Sequence, residues 1–99
     1  MSRYGLGTIK ITEEDANKLN EDCGRPLNRI KSGEYIVDYG FDHALGYFLM
    51  GFDIQEPEEV AFDFDSIFHG LTGSSLGCFL KKYKAPKEHI DMCFLDRDF

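Results

Sequence analysis

Lysine and arginine are missing from half of this chain: none occurs between residues 32 and 80. The same stretch carries nine acids, Glu34, Asp38, Asp42, Asp53, Glu56, Glu58, Glu59, Asp63 and Asp65, within a net charge of −7. Direct binding to nucleic acid rests on cations that neutralise phosphates and release counterions, so this balance excludes nucleic acid as the expected ligand. It favours a basic partner, because a field of one sign speeds association with the opposite sign and deters its own.

Long apolar runs are lacking too. No stretch reaches the roughly 18 residues that a spanning helix needs, and the start, MSRYGLGTIKITEED, has no apolar segment behind a basic cluster. No membrane partner is expected, and the protein is read as cytoplasmic.

Cysteine is scarce and awkwardly placed. Cys23, Cys78 and Cys93 form no C-x-x-C pair, which suits neither a disulfide framework nor a local zinc site. They are expected as reduced, mostly buried thiols. Adding His43, His69 and His89 yields no pair with zinc spacing, so no metal is assigned. A calcium loop begun at Asp63 fails as well, with Phe68 where glycine belongs and Ser74 where the bidentate glutamate belongs.

Nor does the sequence point to catalysis. LTGSSLG, residues 71–77, is not a G-x-S-x-G elbow, and a turn leading into a helix cap accounts for Thr72, Ser74 and Ser75. An anion could use the same helix start, but the P-loop lysine is missing. Asp63 with Asp65, and Asp96 with Asp98, look like acid/base pairs, yet residues two apart on a strand share one face, and here both are expected in water. The chain is read as not an enzyme, without cofactor.

What is present is enough apolar residue for one core: 42% hydrophobic, with nine Phe and five Tyr and only three Pro. Residues 1–99 are expected to form a single compact α+β domain. Ile9 and Ile11 suggest a short N-terminal strand, and Thr12 followed by three acids reads as a helix start. That helix, to about Cys23, offers only Ala16, Leu19 and Cys23 to a core and should lie on the surface.

Residues 34–39 (EYIVDY) read as a strand, and residues 40–46 as a connection in which His43 is hydrogen-bonded or solvent-facing. Residues 46–53 (GYFLMGFD) read as a strand apolar on both faces, hence central and covered on both sides, with Gly51 marking a bulge or a close contact. In residues 60–65, Val60, Phe62 and Phe64 alternate inward with Asp63 and Asp65 to water. Helices are expected over residues 75–83, with Leu76, Phe79, Leu80 and Tyr83 inward, and 86–94, with Ile90, Cys93 and Phe94 inward. The architecture is therefore a small antiparallel sheet, a three-strand meander plus the short N-terminal strand. It packs against the two C-terminal helices, with the first helix on the surface.

The segment FDFDSIFHGLTGSSLG, residues 62–77, resembles part of a small phage-encoded anti-CRISPR protein through FDS, F-x-G-L and G-S-x-L-G. The resemblance implies a phage or mobile-element origin and an inhibitor working in the bacterial host's cytoplasm. Such an inhibitor acts without chemistry, by covering a basic, nucleic-acid-binding surface of a host protein or ribonucleoprotein complex. The nine acids are the candidate contacts. The competing expectation is a toxin-immunity or homo-oligomeric protein that uses an aromatic patch of Tyr35, Tyr39, Phe41 and Tyr47.

Overall fold

The structure, a computed structural model, describes residues 2–22 and 30–97. Strand β1 (Ser2–Ile11) leads through helix α1 (Glu13–Asp22) to β2 (Gly33–Asp42), β3 (Gly46–Asp53) and β4 (Val60–Asp65). Helices α2 (Ser66–His69), α3 (Gly73–Lys82) and α4 (Lys87–Phe94) follow. The four strands form one antiparallel sheet in the order β1-β2-β3-β4, an α+β fold in which the expected meander β2-β3-β4 is extended by β1 alongside β2.

The N-terminal strand is ten residues long, not a short one. Its alternation is hidden because the register slips between Gly5 and Gly7, with Gly7 in the left-handed region at φ 72°, where glycine has no Cβ to clash. Strand β2 likewise runs on through Asp42, leaving only residues 43–45 as the turn. That turn is held by Ala44 N–H donating to Asp42 Oδ1 at 2.7 Å, and His43 sits exposed in it.

One face of the sheet carries the core. Val37, Tyr39, Tyr47, Leu49, Phe62 and Phe64 pack with Ala16 and Leu19 of α1, Leu76, Phe79 and Leu80 of α3, and Cys93 of α4. Thr72 caps α3, its Oγ1 accepting from Ser75 N–H at 3.1 Å, as the serine and threonine cluster suggested.

Gly51 is both things expected of it. A Cβ there would stand 2.0 Å from the Phe62 ring, and the β3–β4 register slips between Gly51 and Phe52. That bulge corrects the pattern of β4: Phe62 and Phe64 are buried, but Val60, displaced by the extra residue, is 50% exposed.

Three further expectations are revised. Phe94 is 48% exposed, lying over Gly77 at the rim instead of inside. Cys78 is exposed while Cys93 is buried; Cys23, where the first helix was expected to end, and Asp98 lie outside the described residues. Finally, the three core helices α1, α3 and α4 cover β3 on one side only. Phe48, Met50 and Phe52 point to the opposite face, away from the cluster that α1, α3 and α4 complete.

Candidate interaction surface

Strand register places the outer face in rows. One row runs Arg3, Gly40, Phe48, Asp65; the next Gly5, Asp38, Met50, Asp63; the third Thr8, Ile36, Phe52, Val60. Met50 therefore stands between two carboxylates, with Phe48 and Phe52 two residues away along its own strand. Neighbouring strands lie about 4.8 Å apart, which sets the backbones of Asp38 and Asp63 about 10 Å from each other across the sheet. Ile36, Met50 and Phe52 are partly buried, and Phe48, opposite Gly40, is 6% exposed.

The nine acids divide between two regions. Glu34, Asp38 and Asp42 share the outer face of β2, and Asp63 and Asp65 share that of β4. Asp53, Glu56, Glu58 and Glu59 gather at the β3–β4 connection, where Glu59 N–H donates to the Glu56 carbonyl at 2.9 Å and Gln55 N–H to Asp53 Oδ1 at 2.8 Å.

Their surroundings differ more than their positions. Asp38 is held by Arg3, whose Nε and Nη2 donate to Oδ2 at 2.9 and 2.6 Å, and whose guanidinium carbon sits 6.0 Å from the centre of the Phe52 ring. Arg3 thus brings a cation onto this face from β1 and fixes Asp38 in place.

Asp65 is not the solvated acid that strict alternation implied. It is buried, and its Oδ1 accepts from Phe68 N–H at 2.6 Å as the N-cap of α2. His69 Nδ1 lies 3.6 Å from Asp65 Oδ2 and 3.3 Å from the Asp65 backbone N–H.

Asp63 is pushed above the ordinary carboxylate range, first by loss of hydration and then by the negative Asp65, against a smaller opposing pull from His69. Asp63 itself is exposed, as alternation expected, and its partial loss of hydration comes from standing beside Met50 of β3.

The aromatic quartet is not an exposed patch. Tyr39 and Tyr47 are buried and Tyr35 and Phe41 pack against the core. The three tyrosine hydroxyls are all engaged: Tyr35 donates to the Lys31 carbonyl at 2.8 Å, Tyr47 to the Arg97 carbonyl at 2.8 Å, and Tyr39 shares a hydrogen bond with His89 Nδ1 at 2.5 Å.

A groove of about 150 Å³ between α1 and α3 is lined by Asp15, Lys18, Leu19, Asp22, Ser75 and Cys78. It is smaller than the several hundred Å³ that a small-molecule site usually offers. Among the described residues no three His, Cys, Asp or Glu side chains converge as a metal site, and no helix is long and apolar enough to cross a membrane.

In comparison with known proteins, the chain matches no family model, no curated protein and no solved structure. The outer-face apolar row and the part played by Arg3 were not singled out from the sequence. The two-sided apolar pattern of GYFLMGFD was the signal for the first. The second had none, since Arg3 and Asp38 are 35 residues apart.

Proposed function

We propose that this protein is a small acidic binding protein that works by occupancy, not by chemistry. On this reading it is an inhibitor encoded by a phage or other mobile element, which covers a basic, nucleic-acid-binding surface of a host defence protein such as a CRISPR–Cas complex in the bacterial cytoplasm. One observation carries the reading: β2, β3 and β4 present acids and apolar side chains on the outer face and contribute no cation to it. The resemblance of residues 62–77 to an anti-CRISPR protein supports it further, and the acids at residues 53–59 extend the same field.

The test is binding to purified crRNA-guided complexes at rising salt. Attraction resting on these acids weakens as ions screen it, and the double substitution Glu58→Lys with Asp63→Lys slows association. Binding indifferent to both salt and these substitutions would sink the proposal. Asp65 is left out of the test, because its carboxylate is engaged in capping α2.

The alternative of an immunity or self-association protein loses its original footing, since Tyr35, Tyr39, Phe41 and Tyr47 belong to the helix-covered face.

A further inference from the structure

The two edges of the sheet differ. β4 is six residues long, slips register between Gly51 and Phe52, carries an exposed acid at Asp63 and leads directly into α2. β1 runs for ten residues without a proline or an acid, and Arg3, Tyr4, Gly5, Gly7, Thr8 and Lys10 are exposed along it. Among the described residues, no backbone hydrogen bond joins residues 3–10 to anything but β2. Such an edge leaves a row of N–H and C=O groups open to another strand, and proteins that keep an edge in water shorten it, charge it or break it. Here both cations have acids beside them within the sheet: Arg3 bonds Asp38 at 2.6 Å, and Lys10 stands opposite Glu34 in register.

We infer that β1 is a dimerisation edge, and that its occupant is β1 of a second copy of this chain, running antiparallel to it. This goes beyond the acidic-face reading and does not rest on it. The bulge between Gly5 and Gly7 selects the occupant. It puts Arg3, Gly5, Thr8 and Lys10 on the outer face, and Tyr4, Gly7 and Ile9 on the face that packs on the core. A regular strand laid along this edge must slip register at the bulge, as β2 does. A second β1 carries the same surplus residue and meets it in step. Setting Gly5 opposite Thr8 of the second copy puts Tyr4 opposite Ile9 and Arg3 opposite Lys10, every pair on one face, with the two bulges facing each other.

The side chains suit that pairing. Tyr4, 36% exposed and stacked on His89 of α4 at 4.1 Å, gains a β-branched neighbour in Ile9, a favourable cross-strand pair. Arg3 and Lys10 of the second copy are like charges, but each brings its own acid, Asp38 or Glu34, so the row is neutral. In a chain of net charge −7, β1 is the strand through which two copies meet without setting acid against acid. The twofold axis stands perpendicular to the sheet, so the two four-stranded sheets become one and both outer faces look the same way. Under the acidic-face reading, one dimer then offers two such faces to a basic surface and gains by avidity.

Sedimentation of the full chain at rising concentration tests this with no host protein present. The mass should climb from 11.3 kDa towards twice that value, and the backbone amides of residues 3–10 should exchange with deuterium more slowly as it does. Thr8→Asp, at an exposed position, brings a new acid beside Asp38 of the second copy and should weaken the dimer about tenfold, with its fold checked by circular dichroism. A crosslink reads the register and serves where Thr8→Asp does not fold. With Cys23→Ser and Cys78→Ser as background, Gly5→Cys and Thr8→Cys in one chain should close disulfides between copies under mild oxidation. Neither cysteine alone should do so, because in this register each faces the other position.

A monomer at every concentration overturns the inference and leaves the acidic-face reading standing. A dimer whose β1 amides exchange as fast as the monomer's, or that forms no crosslink with both cysteines in place, uses another surface and overturns it. Species that keep growing beyond the dimer also overturn it, since they mean that β1 of one copy meets β4 of the next in an open series.

Discussion

Tyr83 donates its hydroxyl to Asp15 Oδ2 at 2.6 Å while Lys82 Nζ donates to Oδ1 at 2.7 Å, so one carboxylate on α1 holds the end of α3. Burial is the largest single influence on Asp15 and would raise its pKa, but the hydrogen bonds from Lys82, Tyr83 and Thr12 together outweigh it and hold the carboxyl below the ordinary 3.8. Burial, helped by that carboxylate, pushes the Tyr83 hydroxyl up to about 12. Asp15→Ala is expected to cost about 1–3 kcal/mol, since the partly buried Tyr83 hydroxyl loses its acceptor. A denaturant melt of wild type and variant measures it.

The pH dependence of two aspartates runs in opposite directions. Asp15 has a lowered folded pKa, so its stabilisation is fully present above the unfolded value and is lost as pH falls through the folded one. Asp63 has a raised pKa, so its contribution is present below the unfolded value and is lost as pH rises through the folded one. At pH 7, Asp63→Asn should therefore leave the protein slightly more stable, by about 0.5 kcal/mol, while Asp15→Asn makes it less so. Melting temperatures of both variants at pH 7 and pH 3 decide; a destabilised Asp63→Asn at pH 7 contradicts this account.

Gly51 tests the packing of β3 on β4. A methyl group there would meet the Phe62 ring at 2.0 Å, so Gly51→Ala should destabilise by about 1–3 kcal/mol through overpacking. Adding Phe62→Leu, which removes the ring, should recover part of that loss. A double-mutant cycle reads the coupling, and strictly additive effects would show that the two positions do not compete for the same space.

Capping and partner binding separate at Asp65 and Glu58. Asp65→Ala removes the acceptor of Phe68 N–H and should cost about 1–2 kcal/mol of stability. Glu58→Lys, on an exposed connection, should leave the melting temperature almost unchanged and alter only association with a basic partner. Thermal melts and association rates on the same two proteins distinguish the roles.

Thiol chemistry follows exposure. Cys78 lies at the surface, whereas Cys93 is 1% exposed and its thiol is pushed up to about 12 by burial. Under native conditions iodoacetamide should label Cys78 and spare Cys93, with Cys93 reacting only after unfolding. Peptide mapping by mass spectrometry checks this, and rapid native labelling of Cys93 would mean that α4 opens readily.

The charge asymmetry, the α+β class, the three-strand meander and the core stripe of α3 could all be read from the chain, because each depends on residue type and local spacing. Leu76, Phe79 and Leu80 fall on one stripe whatever surrounds them. The fold alone decided which acids are in water. Asp63 and Asp65 are two residues apart and look alike in sequence, yet a four-residue helix folds back to be capped by the buried Asp65 while Asp63 stays exposed on the sheet. It also decided that GYFLMGFD keeps a face clear of the three core helices, since three helices of ten, ten and eight residues gather on the opposite side. Long-range register, such as Arg3 reaching Asp38 and Met50 standing between Asp38 and Asp63, has no local signal at all. Backbone pairing between distant strands creates it, and pairing is chosen by the burial of the other face.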